Sequence, residues 1–302
     1  MKYERIAGAS GVALSLLLMT GCGGPEDVHD SRAKLPAAVE KQVGGHVLQL
    51  VYEKPNGKIG LATAVRISLG KKTIDITAAH AAAEAAQNCA DQKLIRKAAG
   101  KTEYFAPYKQ SSVEDYKTAI AQSTADRPEL EGHDVAAIVR DDDEDRFGGI
   151  KPQKSLDIRS GAAMTFVNYQ EAPSGTSRDV ERSDKYGQPA QFSGRYIGVE
   201  GTKMVALTGE GASYGSIDDN VTRKGSSGGA AFVNDAKTSF AGITVATSNY
   251  TVSEQDVQDR FGVSMHVPDG SHLTYIEPVT TGLAQELYQE ALAQPECVNA
   301  GQ

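Results

Sequence analysis

Three stretches carry side chains that together could move an acyl group: "ITAAH", ending at His80, "HDVAAIV", holding Asp134, and "GSSGGAAF", holding Ser227. Acyl transfer by a serine needs a hydroxyl, a neutral imidazole to take its proton, and a carboxylate that fixes the imidazole's tautomer and stabilises its charged form. His80 stands where an apolar run gives way to small residues that leave a ring accessible. Asp134 opens a run that would carry its carboxylate into a largely buried site. Gly225 permits a backbone in which its own N–H and that of Ser227 converge on a developing oxyanion. Each stretch alone is an ordinary turn or strand end, but as a set they point to one chemistry.

Strands are the elements that must position these groups. The chain has 302 residues, 40% hydrophobic, and 31 glycines punctuate short runs rich in Val, Ile and Thr, a pattern that favours many strands joined by turns. "HVLQLVYE", "GLATAVRISL" and "KKTIDITAAH" read as strands, the last two forming a hairpin across Gly70, Lys71 and Lys72. A buried strand is predicted over 135–139. A second series follows in "AAMTFVNY", "GRYIGVE", "KMVALTG", "AAFV" and "FAGITVAT". Residues 81–99 are alanine-rich and predicted helical. "TTGLAQELYQEALAQ" spaces Leu283, Leu287 and Ala291 four apart, with Tyr288 and Leu292 alongside, as a docking stripe of a terminal helix. The acidic run at 141–145 lacks a ligand-spaced glycine loop and reads as a solvated turn. No metal or other cofactor is assigned.

The stretches "TAAH", "HDVAAI" and "GSSGG" resemble the three signatures of chymotrypsin-like (trypsin-fold) serine proteases, in that family's order. "VGGHVLQLVY" resembles its mature N-terminal stretch, and "TYIEPVTTGL" its strand leading to a final helix. The resemblance implies an all-β fold of two six-stranded antiparallel β-barrels with a C-terminal α-helix. The first barrel would span 43–150 and the second, with the helix, 151–296. It makes His80 general base and then general acid, Asp134 its orienting partner, and Ser227 the nucleophile of a serine endopeptidase acting on protein or peptide substrates. Gly225 and Ser227 would form the oxyanion hole. Ser226 competes with Ser227, but the family places its serine directly before a glycine pair, here Gly228 and Gly229. Substrate contacts would fall on Val221, six residues before Ser227, and on Gly242, Val245 and Thr247 of "GITVAT". Animal members carry an aspartate where Ser226 stands, to receive an ammonium freed by cleavage. Its absence implies activity without cleavage after Lys41, because an ammonium buried without a carboxylate is strongly disfavoured.

Lys2 and Arg5 precede an uncharged run over 6–21 that is too short for a membrane span and reads as an export signal. "LLMTGC" resembles the lipobox of bacterial lipoproteins, which makes 1–21 a signal peptide, Cys22 the lipidated first residue and 22–42 a flexible tether. The membrane is then reached through the lipid alone, at the cell envelope, or the protein is secreted if Cys22 stays unmodified. Export to an oxidising compartment leaves Cys89 and Cys297 as either a disulfide or two thiols. The net charge of −8 repels phosphate backbones, so nucleic acid is excluded as a partner.

Two rivals use the same residues. Gly225, Ser227 and Gly229 satisfy the G-x-S-x-G elbow of an α/β-hydrolase esterase, whose acid and histidine would then come from Asp256 or Asp259 and His266 or His272. A catalytically idle trypsin-like fold would instead serve as a binding module on the cell envelope.

Overall fold

The computed structural model describes residues 37–43, 45–53, 59–85, 93–96, 101–104, 108–123, 130–139, 148–169, 190–209 and 226–297. The expected signal peptide, Cys22 and the run at 141–145 lie outside them. Among the described residues strand predominates over helix, arranged as a seven-stranded sheet followed by a closed six-stranded barrel.

The first half begins with a short helix, α1 (Ala37–Val43), and strands β1 (Val47–Glu53), β2 (Ile59–Leu69) and β3 (Lys72–Thr77). The predicted hairpin between β2 and β3 forms, but Lys72 pairs with Leu69, so the turn is the two residues Gly70 and Lys71, with Gly70 at φ 75°, a backbone region that disfavours residues with a Cβ. Helix α2 (Ala79–Ala85), strands β4 (Lys93–Arg96), β5 (Lys101–Tyr104) and β6 (Lys109–Gln110), helix α3 (Glu114–Gln122) and strand β7 (Ala136–Val139) complete it. The sheet order is β5-β4-β1-β2-β3-β7-β6. Six strands were expected here. The β4–β5 hairpin, within and just beyond the stretch predicted helical, adds to the outer edge of β1. The expected helix is confined, among the described residues, to α2, which starts two residues early and contains His80.

Strand β3 is buried from Thr73 to Thr77 because both faces are covered, so its alternation divides two cores rather than core from water. Ile74 and Ile76 face one side. Asp75 faces the other and is paired in register with Arg66 of β2, whose Nε and Nη2 donate to the two carboxylate oxygens at 2.8 and 3.0 Å.

The second half contains β8 (Ala163–Asn168), β9 (Ala190–Glu200), β10 (Lys203–Thr208), β11 (Ala230–Val233), β12 (Ser239–Thr247), helix α4 (Glu254–Phe261), β13 (His272–Pro278) and helix α5 (Thr281–Ala293). The barrel closes in the order β10-β13-β12-β11-β8-β9, because β9 pairs with both β8 and β10. Met164, Phe166, Phe192, Met204 and Ile276 form one apolar cluster, with the Phe166 and Phe192 rings stacked at 4.8 Å. A larger cluster joins the halves, bringing Val167, Ile197, Val205 and Phe232 together with Val47, Leu50 and Ile76.

The terminal helix forms as predicted, capped by the Thr280 hydroxyl accepting from the Leu283 N–H, and packs back on β6 and β7. Its buried stripe is Ala284, Leu287 and Ala291. Leu283 is half-buried and Leu292 exposed, because the small face lets the helix lie close to the sheet. The tether expectation needs correction at its end: residues 37–43 are helical, with Val39 and Val43 buried in the core.

Candidate active site

His80 is the second residue of α2, just beyond the end of β3. Ala79, Ala81, Ala82 and Ala85 are buried, so the helix sits low and turns His80 towards the seam between the halves. Ala79 and Ala82 pack with Val113 and Ala136, while the Tyr116 ring of α3 lies 6.4 Å from the imidazole. Asp134, just before β7, is 2% exposed. One of its oxygens accepts the His80 backbone N–H at 3.0 Å and the other lies 2.8 Å from Nδ1 of the same residue. Both carboxylate oxygens are therefore committed to His80. On the far side of the ring, Nε2 lies 2.8 Å from the Ser227 hydroxyl.

The serine is mounted by glycine. Gly228 has φ 86°, and a Cβ there would lie 1.9 Å from the Thr63 carbonyl oxygen and 2.6 Å from the Thr77 hydroxyl. Its N–H donates to the Thr244 carbonyl at 2.7 Å, and the Gly229 N–H to that of Ser226 at 2.8 Å. The Ser227 carbonyl accepts the Thr63 N–H of β2 at 2.7 Å, so a strand of the first half fixes the main chain of Ser227. The two serines separate here. Ser226 is buried and its hydroxyl donates to the Asn168 side-chain oxygen at 3.2 Å, whereas Ser227 faces the imidazole.

Burial disfavours the charged form of His80, but the hydrogen bond to Asp134 and the fields of Asp134 and Glu84 outweigh it, so the imidazole pKa is raised above 6.5. With a carboxylate at Nδ1, the neutral ring keeps its proton there and offers Nε2 as acceptor to the serine. The ring retains 37% side-chain exposure, so a substrate can reach it. This arrangement can deprotonate a hydroxyl and hold the resulting imidazolium. Among the described residues no group of three or more His, Cys, Asp and Glu could hold a metal ion.

The other expected residues divide. Gly225, Val221 and Cys89 lie outside the described residues. Cys297 is disulfide-bonded. Gly242 requires correction as a substrate contact: it is walled in between Ala231 of β11 and Pro278 of β13, and a Cβ there would lie 2.0 Å from the Glu277 carbonyl oxygen. The β11 register ends at Ile243, and β12 shifts register on β13 between Thr244 and Ala246. Thr244 bonds Gly228 and Gly229 of the Ser227 loop, and Val245 and Thr247 follow it, beyond the last β11 pairing. The acids and histidines of the esterase alternative are engaged elsewhere. Asp256 caps α4 with Ser253, Asp259 bonds Gln255, His266 bonds Glu254, and His272 is buried with Nδ1 against the Ser248 carbonyl.

One group escaped the sequence reading. Glu277 on β13 accepts the Asp134 backbone N–H at 2.9 Å and lies 2.7 Å from the ammonium of Lys203. Both side chains are fully buried. Only a lone carboxylate within the strand run HLTYIEP could have drawn attention to it.

No family model matches the chain, and no curated protein does. Solved structures with a similar course include the active form of the Rv3671c protease from M. tuberculosis, 13% identical at a TM-score of 0.48, covering 85% of each chain. The thermostable serine protease AL20 from an extremophilic microorganism is 11% identical at 0.48, covering 83% of this chain and 99% of that one. The protease Anisep from Arthrobacter nicotinovorans is 11% identical at 0.44, covering 82% and 96%. Each of these three structures is named as a protease, and AL20 as a serine protease.

Proposed function

We propose that the protein is a serine endopeptidase. The observation that carries this is the unbroken relay from the Asp134 carboxylate through both ring nitrogens of His80 to the Ser227 hydroxyl, each link 2.8 Å long. Ser227 Oγ attacks the scissile carbonyl carbon while its proton passes to Nε2, and Asp134 stabilises the imidazolium. The tetrahedral oxyanion is received by the N–H groups of Gly225 and Ser227. Collapse breaks the C–N bond, and the leaving amine takes the proton from Nε2. Water then attacks the acyl-serine, with His80 again the base, and releases the acid. The substrate backbone pairs along Val245 and Thr247, beyond the last residue that β11 covers.

The site is competent without cleavage after Lys41. Lys41 and Val43 belong to α1 with Val43 buried, and the Ser226–Asn168 hydrogen bond occupies the place of a carboxylate waiting for an ammonium. The mature chain begins at a lipidated Cys22 at the cell envelope, and Cys297 pairs with Cys89. Intact mass and non-reducing peptide mapping test both.

A fluorophosphonate probe tests the central reading. Folded wild-type protein, including Lys41→Ala, should label on one serine and hydrolyse peptides, and Ser227→Ala should not label. An unlabelled folded wild type points to a binding module, and ester cleavage without peptide cleavage to an esterase.

A further inference from the structure

Two ionisable side chains of the second half, Glu277 and Lys203, are completely buried, and neither takes part in the steps above. One oxygen of Glu277 accepts the Asp134 N–H and faces Lys203 Nζ. The other lies 2.6 Å from His133 Nδ1. Lys203, the first residue of β10, also donates to the Gly132 carbonyl and the Thr202 hydroxyl, and that hydroxyl donates to Gly132 at 2.8 Å. Gly201 fits so tightly that a Cβ would lie 2.4 Å from the Leu130 carbonyl oxygen. The loop at 130–134 is thus gripped at successive residues by the β9–β10 turn and by β13.

A buried carboxylate and ammonium lose their hydration, and an apolar pair of similar volume often serves stability as well or better. Stability therefore gives no account of why this pair stands here. A carboxylate does what an apolar side chain cannot: it accepts the Asp134 N–H, which otherwise would be buried without a partner. We infer that Glu277, oriented by Lys203, is the positioning residue for Asp134, clamping its main chain so that both carboxylate oxygens meet His80. The second barrel in this way sets the basicity of a histidine carried by the first half. The inference rests on the hydrolytic reading for its effect on turnover, but not for its effect on His80.

The decisive comparison is between E277L/K203M, which removes the acceptor while preserving volume, and E277Q/K203M, which keeps a carbonyl oxygen for the Asp134 N–H. In E277L/K203M, kcat is expected to fall on the order of tenfold to a hundredfold with KM changed less than about twofold, as for a slightly misplaced base. His80, titrated by NMR without substrate, is expected to take up its proton at lower pH, and the acid limb of kcat to move the same way. E277Q/K203M is expected to return to within about threefold of wild type. A folded E277L/K203M with wild-type kcat and wild-type His80 titration overturns the inference. Should that variant not fold, hydrogen exchange in the wild type decides: the Asp134 amide is expected to exchange only on global unfolding, and exchange on a loop timescale overturns the clamp. A wild type that hydrolyses nothing, while its variant shows the shifted titration, loses the hydrolytic reading and keeps the clamp. An active enzyme whose variant titrates like wild type keeps the activity and loses the clamp.

Discussion

Replacing Asp134 by asparagine changes one atom and should disable the relay through a tautomer. The two carboxylate oxygens accept from the His80 backbone N–H at 3.0 Å and from Nδ1 at 2.8 Å. Asparagine offers one acceptor oxygen and one donor nitrogen. The backbone N–H can only donate, so it claims the amide oxygen, and the NH2 group is left facing Nδ1. A donor there requires a bare Nδ1, which moves the ring proton to Nε2. That nitrogen then points an N–H at the Ser227 hydroxyl, now 2.8 Å away, and cannot receive its proton. The same exchange in a serine triad lowers kcat by about 10⁴, or about 5 kcal/mol of barrier. Initial rates on a peptide anilide and probe-labelling rates measure it, with circular dichroism and thermal unfolding to show that the fold persists. An Asp134→Asn protein that is folded and within about tenfold of wild type would refute the tautomer argument, since a mere loss of charge should cost far less.

Other outcomes are expected. Because neutral His80 is the working form and its pKa is raised, kcat/KM should fall as pH drops through a midpoint above 6.5, read with an ester substrate across pH. The raised folded pKa also means that the protonated ring's contribution to stability is full below the unfolded value and is lost as pH rises through the folded one. Urea midpoints of wild type and His80→Ala should accordingly differ more near about pH 5.5 than near about pH 8.5. Gly228→Ala drives a Cβ into the Thr63 carbonyl at positive φ and should cost more than about 3 kcal/mol in urea unfolding, or leave the serine unlabelled in a folded protein. Arg66→Met or Asp75→Asn alone should each cost about 3–5 kcal/mol in urea unfolding by breaking a buried ion pair.

What could be read before the structure follows how local the cause is. The meeting of His80, Asp134 and Ser227 was legible because the chemistry proposed for them dictates residue type, and β3, β7, β11 and β12 because short β-branched or apolar runs end at turn residues. Helix α3 buries none of its residues, so it carries no apolar stripe to read. Helix α4 buries Val257 alone, and its start is marked only by the Ser253–Asp256 capping box. The β4–β5 hairpin is hidden by its lysines and arginine in a stretch otherwise rich in alanine. Gly242 was misplaced because a strand's existence is local, while the point where its neighbour stops depends on a register shift fixed by β11 and β13. Glu277 was out of reach for the same reason: its contact with the Asp134 N–H spans 143 residues of chain.

The hydrogen bond from Thr63 to the Ser227 carbonyl, with Gly228 pressed against the same strand, means that the scaffold for the reactive hydroxyl is contributed by a portion of chain synthesised long before it. A nascent polypeptide that has emerged only through β10 possesses base and acid but nothing to activate, and one whose lobes have not yet docked lacks the ledge on which the serine rests. On the proposed reading, reactivity thus arrives only with completed tertiary structure.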